Sequence, residues 1–178
     1  MSREYRIYKP NKKGAGAASK FQCKTKTKKI GDKEYPELIL FVETAPQTGT
    51  DDNDNASFAW AQQGKSPSSV TMKLGMPDIG EMLLTLTGKS KFVEPPPKAG
   101  RTVESGLFHQ NKNGNTSLRL KWSDGTLFLN LSSQDKNKNV TKVGHSLTPG
   151  EAAVLAVLLE EFVVKYHDWK LEILKGNV

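Results

Sequence analysis

Residues 117–131, SLRLKWSDGTLFLNL, leave little freedom in how they can fold. Leu118, Leu120 and Trp122 alternate with Arg119 and Lys121, a period of two that sends the apolar side chains to one face of a strand. Asp124-Gly125 then supplies residues that tolerate the positive φ of a tight turn. Beyond it Leu127, Leu129 and Leu131 alternate with Phe128, Asn130 and Ser132, so the stretch is an antiparallel hairpin with one buried face. Its other face, carrying Arg119, Lys121 and Phe128, is left for polar or aromatic contact.

Fainter versions of this pattern recur along the chain. Residues 3–8 are strand-like, and residues 11–18 form a glycine-containing turn. From Lys20 onward Phe21 and Cys23 share one face, while Gln22, Lys24, Lys26 and Lys28 share the other. After a turn at 30–34, residues 36–43 place Leu38, Leu40 and Val42 inside and Ile39 and Phe41 opposite. Residues 44–56 are rich in turn formers, which predicts a long exposed loop. Its run Asp51-Asp52-Asn53-Asp54 lacks the glycine and closing glutamate of a calcium loop, so it reads as a solvated acidic loop. Phe58 and Trp60 share one face of a further strand, and strands follow at 70–74, 107–110 and 140–144.

Two helices are signalled by their starts. Pro77 suits the first helical position, Asp78 and Glu81 favour the N-terminal turn, and Ile79, Met82, Leu83 and Leu86 form an apolar stripe ending near Gly88. Thr148-Pro149-Gly150-Glu151 is a capping box, opening a helix predicted from Pro149 to about His167. That second helix is apolar around most of its circumference and must be covered by both sheets or by another subunit. Residues 89–105, with Pro95-Pro96-Pro97, read as an extended crossover, and residues 170–178 as a tail.

The elements repeat. Tyr8-Lys-Pro-Asn-Lys-Lys-Gly14 parallels Phe108-His-Gln-Asn-Lys-Asn-Gly114. Allowing a three-residue insertion, Phe21, Cys23 and Lys24 parallel Leu118, Leu120 and Lys121, and Leu38, Leu40 and Val42 parallel Leu127, Leu129 and Leu131. Ser69-Val-Thr71 parallels Asn139-Val-Thr141 ahead of each proline-started helix. The chain therefore reads as α+β, a β-β-β-β-α unit duplicated into two antiparallel four-stranded sheets with two helices. Residues 1–178 form a single domain, with repeats at 1–89 and 106–169 joined by a crossover at 90–105.

Charge is unevenly placed. The net charge is +7, yet residues 1–33 carry eleven Lys and Arg against Glu4 and Asp32, so the remainder is slightly acidic. A basic segment beside a near-neutral body fits a surface for a polyanion, although a solvated basic arm would look the same. Lys24, Lys26 and Lys28 project from one strand face about 7 Å apart, near the spacing of successive phosphates; lysines that guard a sheet edge give the same pattern.

No apolar run is long enough for a membrane span, and the N-terminus lacks the apolar region of a signal peptide, which predicts an intracellular protein. One cysteine excludes an internal disulfide, and His109, His145 and His167 lack ligand spacing, so no metal or other cofactor is expected. Neither a phosphate-binding Gly-x-x-x-x-Gly-Lys loop nor a Gly-x-Ser-x-Gly nucleophile turn occurs, which argues against an enzyme.

The stretch Leu118-Arg-Leu-Lys-Trp-Ser-Asp-Gly-Thr-Leu-Phe-Leu-Asn-Leu131, followed by Lys142-Val-Gly-His-Ser-Leu-Thr-Pro-Gly-Glu151, resembles the second and third strands and the helix entry of the Whirly family of single-stranded-DNA-binding proteins. Each half is also similar to positive cofactor four, the family's single-unit relative. The resemblance implies a sheet surface that binds single strands, with bases on aromatics and phosphates on lysines. On the matching positions it implies contacts from Arg119, Lys121, Trp122 and Phe128, and in the first copy from Lys24, Lys26, Lys28, Ile39 and Phe41. We add Lys12 and Lys13 from the basic turn, and Trp60. Trp122 shares its face with Leu118 and Leu120, so packing and stacking both remain open for it, as they do for Phe58 and Trp60. The resemblance also implies a homo-oligomer, a dimer or tetramer joined through helix 149–167. The expected function is non-enzymatic binding of single-stranded nucleic acid, DNA ahead of RNA, in transcription, replication or repair. The competing readings are an RNA-binding protein and an oligomeric protein-interaction or structural module.

Overall fold

The structure, a computed structural model, describes residues 3–51, 53, 55–61, 68–88 and 106–175. Four strands open the chain: β1 (Arg3–Lys9), β2 (Ala17–Ile30), β3 (Lys33–Thr50) and β4 (Ala56–Phe58). Strand β5 (Val70–Leu74) leads into helix α1 (Met76–Leu86). The second half holds β6 (Leu107–Asn111), β7 (Gly114–Ser123), β8 (Thr126–Asp135), β9 (Val140–Leu147) and helix α2 (Pro149–Leu174). All pairings are antiparallel: β1-β2-β3 with both β4 and β5 on β3, and β6-β7-β8-β9. The duplicated α+β architecture is the one the sequence implied, with one difference in the first sheet. The crossover proposed at 90–105 lies outside the described residues.

That difference concerns the long exposed loop expected at 44–56, whose residues 44–50 are strand instead, while Asp52 and Asp54 of the acidic run lie outside the described residues. β3 runs on to Thr50, and Thr44, Ala45 and Gln47 are buried. Thr44 pairs with Val70 of β5, and Gln47 with Phe58 of β4. Gln47 N–H donates to Gly16 C=O on one side of β3, while Pro46 C=O accepts from Ala59 N–H on the other. Pro46 sits in the gap between the β5 and β4 registers, where its missing N–H leaves no ladder bond unmade. Thus β4 and β5 are two pieces of one strand position, and residues 59–69 are inserted between them. Turn-forming composition misled here because Thr, Gln and Pro can serve a strand whose edges are satisfied by other means.

Repeated turns mark the duplication more firmly than the strands do. Asn11 Oδ1 accepts from Lys13 N–H, and Asn111 Oδ1 from Asn113 N–H. Asp51 Oδ1 accepts from Asn55 N–H, as Asp135 Oδ1 does from Asn139 N–H, and each aspartate also takes the side-chain amide of its asparagine. Pairing then corrects the alignment, by two residues in the second and third strands and by three in the last, where Val70 corresponds to Val143 and not Val140. Ile7 pairs with Ser19 and Leu107 with Leu118, so Ser19 corresponds to Leu118 and Phe21 to Leu120. By the same rows Thr44 corresponds to Leu131, Cys23 to Trp122, and Met72 to His145. A slip of two leaves every side chain on its own face, so alternation alone cannot detect it.

Both helices begin as expected. Gly75 N–H donates to the Asp78 carboxylate, and Thr148 and Glu151 exchange the reciprocal bonds of a capping box. α2 continues to Leu174 and takes in most of the residues expected as a tail. Each helix lies beneath the other repeat's sheet. α1 meets β7, where Trp122 Nε1–H donates to Thr85 C=O at 2.7 Å. α2 brings Leu155, Leu159 and Phe162 against Tyr5, Phe21, Cys23 and Leu40. Because Cys23 fills less space than the corresponding Trp122, a cavity of about 120 Å³ remains under α2. The buried leucines of β7 and β8 join Phe21, Leu40, Val42, Met72, Ile79 and Met82 in one core.

A polar seam interrupts that core. Ser19 Oγ lies 2.8 Å from Thr44 Oγ1 and 2.6 Å from His145 Nε2, while His145 Nδ1 faces Ser146 C=O at 3.1 Å. The network assigns a neutral imidazole that donates from Nδ1 and accepts from Ser19, leaving Ser19 to accept from Thr44. Burial pushes the His145 pKa below its ordinary 6.5; Lys9 adds to this, against the Ser146 carbonyl and Glu151. The unfolded chain therefore takes up a proton that the folded one refuses. Stability should be full above the unfolded value and fall as pH drops through the window below it. His145→Met, which copies Met72, should flatten a plot of melting temperature against pH between about 7 and 5. An unchanged slope would remove His145 as its source.

Among the described residues no helix is long and apolar enough to cross a membrane.

Candidate nucleic-acid interface

Alternation along β1, β2 and β3 turns one set of side chains away from the core. Ile7, Ser19, Phe21, Val42 and Thr44 face inward, so Arg6, Tyr8, Lys20, Gln22, Lys24, Lys26, Lys28, Phe41 and Glu43 face outward. Cross-strand pairs bring Lys24 opposite Ile39 and Gln22 opposite Phe41, with Lys73 of β5 on Phe41's far side. Lys24 Nζ and Lys26 Nζ stand 5.6 and 5.7 Å from the Phe41 ring centroid. Among the described residues neither has a carboxylate partner, whereas Lys28 pairs with Glu37 at 3.3 Å.

The inserted segment 59–69 adds a second aromatic feature. Phe58 lies 5.6 Å from Tyr8 and 6.4 Å from Trp60, ring centre to ring centre. Lys20 Nζ stands 4.8 Å over the Trp60 ring, and the Arg6 guanidinium 5.9 Å from it. Ala18 and Ala45, neighbours in the ladder and both fully buried, are small enough for the rings to lie over them.

Glu43 fastens this cluster. Its carboxylate pairs with Lys20 at 2.8 Å and accepts from Ala61 N–H and Ser69 Oγ–H, at either end of the insertion. Burial alone would raise its pKa, but the bonds from Lys20, Ala61 and Ser69 outweigh that and hold it below the ordinary value. Trp60 is thus carried on a segment tied to the sheet by a buried carboxylate.

The corresponding face of the second sheet is differently furnished. It carries Phe108, Asn115, Ser117, Arg119, Lys121, Phe128, Asn130, Ser132, Gln134, Val140 and Lys142 in outward rows. Lys121 and Phe128 are cross-strand partners, as are Arg119 and Asn130. Phe108 and Val140 are each more than 60% exposed.

Most expected contact residues reach these faces, though not one common surface. Lys24, Lys26, Phe41 and Trp60 share the first sheet's outer face, and Lys28 joins them already paired. Lys12 and Lys13 sit exposed in the β1–β2 turn that Asn11 closes. Arg119, Lys121 and Phe128 lie on the second sheet's outer face. Trp122 turns the other way, half-buried against the core with its N–H spent on Thr85. Ile39 is 4% exposed and offers little surface to a ligand. Sequence reasoning missed Arg6, Tyr8 and Lys20. The signal for Arg6 and Tyr8 was their alternation about Ile7, which a strand of this length states only weakly, and that for Lys20 was its place in the same alternating row as Gln22, Lys24 and Lys26.

Among solved structures, the chain is similar to the crystal structure of WHY1 from Arabidopsis thaliana, with a TM-score of 0.62 and 18% sequence identity. The match covers 99% of this chain and 93% of that one, so the likeness is one of the whole fold. Neither a known family profile nor a curated protein sequence matches the chain. The Whirly-like architecture implied by the 118–131 hairpin and the Thr148 helix start is the architecture found.

Proposed function

We propose that this chain binds single-stranded nucleic acid, DNA ahead of RNA, through the outer face of its first sheet and without catalysis. The observation that carries the reading is the Tyr8–Phe58–Trp60 cluster, bordered by Arg6 and Lys20 and continued by Lys24 and Lys26 beside Phe41. Aromatic rings on an outer face accept unpaired bases, each stack being worth roughly 1–3 kcal/mol. Lys24 and Lys26, which have no carboxylate partner among the described residues, can take phosphates; Arg6 and Lys20 are already paired with Glu4 and Glu43. Stacking of this kind tolerates most sequences and suits a role in transcription, replication or repair.

Oligothymidine binding followed by anisotropy tests the proposal. Affinity should fall steeply with salt, and replacing Lys24 and Lys26 together by Ala should flatten the log–log slope by about 1.4, or roughly 0.7 per phosphate contact on a single strand. Lys28→Ala should change the slope less, because Glu37 already holds that ammonium. Absence of binding at low salt would refute the reading. Duplex DNA and RNA in the same assay decide the preferred polymer.

A homo-oligomer through α2 is the companion proposal. Val157, Val164 and Leu171, spaced by seven along α2, are all more than half exposed, and Val154 lies one turn before Val157. Seven-residue spacing on a helix is the spacing of a helix–helix seam. Val157→Glu with Val164→Glu should convert an oligomer to monomers in sedimentation velocity; a monomeric parent protein would dismiss the proposal.

A further inference from the structure

The two repeats treat one place on their outer faces differently. In the first, Tyr8 stands beside Ala18, Ala18 beside Ala45, and Phe58 faces Gln47, two residues beyond Ala45. In the second, Phe108 stands beside Ser117, Ser117 beside Ser132, and Val140 faces Gln134, two residues beyond Ser132. Phe108 therefore takes the place of Tyr8, the serines that of the alanines, and Val140 that of Phe58. Where the rings of Tyr8 and Phe58 close over the alanine floor, the smaller Val140 leaves a groove between itself and Phe108. The groove is about 200 Å³, with Ser117, Ser132, Asn115 and Gln134 on its floor and sides.

We propose that this groove is a nucleobase slot, taking one unpaired base in the space that Phe58 fills with its own ring in the first repeat. The inference rests on the single-strand reading above and assigns it a second, chemically distinct contact. Phe108 offers an exposed ring face for stacking. The Ser117 and Ser132 hydroxyls share one hydrogen bond of 2.7 Å. That bond uses one of their two hydrogens and leaves the other, with several lone pairs, for a base edge. Asn115 and Gln134 add amides that both donate and accept. Lys142, beside Ser132 in the ladder, stands where the phosphate of the bound nucleotide can reach. An apolar ligand would waste these polar groups, and a phosphate alone would not use Phe108. A planar ring with hydrogen-bonding edges uses both.

Oligothymidine carrying one 2-aminopurine tests the slot, read as anisotropy for binding and as 2-aminopurine fluorescence for stacking. Wild-type protein should bind and quench the probe. Phe108→Ala should reduce the quenching, leaving what the first sheet's rings supply, and weaken binding roughly tenfold, a single stack's worth. Ser132→Leu, which fills the groove while keeping Phe108, should do the same. Lys24→Ala with Lys26→Ala should weaken binding yet leave the bound probe quenched. Melting curves establish that each variant is folded, and Phe108, being exposed, can be truncated without loss of core. If wild-type protein binds but both groove variants bind and quench as it does, the slot is overturned and the single-strand reading stands. If wild-type protein binds no oligonucleotide, both fall together.

Discussion

Trp122→Ala should cost about 3 kcal/mol of folding stability and leave the affinity of the folded protein for oligothymidine unchanged. Truncating a buried tryptophan typically costs 3–5 kcal/mol, and Trp122 is only half-buried, which places it at the low end. Its ring fills the space beneath α1 that Cys23 leaves open beneath α2. Its N–H bond to Thr85 adds to the loss, although the Thr85 carbonyl also accepts from Gly88 N–H and so is not left unpaired. Trp122→Phe should therefore cost less, about 1 kcal/mol beyond the change in packing. Urea denaturation measures both, with the midpoint moving at constant slope. A collapse of affinity with stability intact would instead make this ring a contact residue.

Glu43→Ala should be comparably damaging and should also reach the ligand. The substitution strands Lys20, whose side chain is only 16% exposed, without its carboxylate. Breaking a buried pair in this way costs about 3 kcal/mol. It also releases Ala61 and Ser69, so Trp60 is no longer held against Arg6 and Lys20, and affinity should fall roughly tenfold, about one stacked base. If Glu43 acts through Trp60, then adding Trp60→Ala to Glu43→Ala should lower affinity little further; full additivity would separate the two. Because the folded pKa of Glu43 lies below 4.5, its contribution is present above that pH and fades as pH falls through the folded value. Glu43→Gln, which keeps an acceptor for Ala61, should fall between the parent and the alanine variant.

The sequence made the fold legible where one signal had one meaning. The alternation at 117–131 and the Thr148–Glu151 capping box each correspond to a single local structure, and both appear as expected. It was less clear at residues 44–50, where the extended backbone depends on partners from β2, β4 and β5 that lie far along the chain. The two-residue slip in the repeat had a different cause, since period-two patterning is blind to even shifts and only the pairing of Ile7 with Ser19 resolves it. The lysine row was readable because exposed side chains on one strand obey simple spacing. The aromatic cluster was not, because Tyr8 comes from β1 and Phe58 and Trp60 from the end of β4 and just past it, some fifty residues on, and they meet only through the alanine floor and Glu43. Trp122 was the ambiguous case, with its strand face pointing inward and its chemistry suggesting outward.

The seam of Ser19, Thr44 and His145 has a consequence for self-recognition. β9 packs on β2 and β3 much as β5 packs on β7 and β8, so each half meets the other across an approximate twofold axis. Were the first half to pair with a copy of itself, Met72 would lie against the Ser19 and Thr44 hydroxyls and leave them a sulfur and methyl groups for company. Were the second to do so, the His145 imidazole would be buried against Leu118 and Leu131 with nothing to donate to Nε2. Neither half is complementary to its own twin. The three polar side chains thus favour pairing of the two halves with each other over pairing of either half with its own copy.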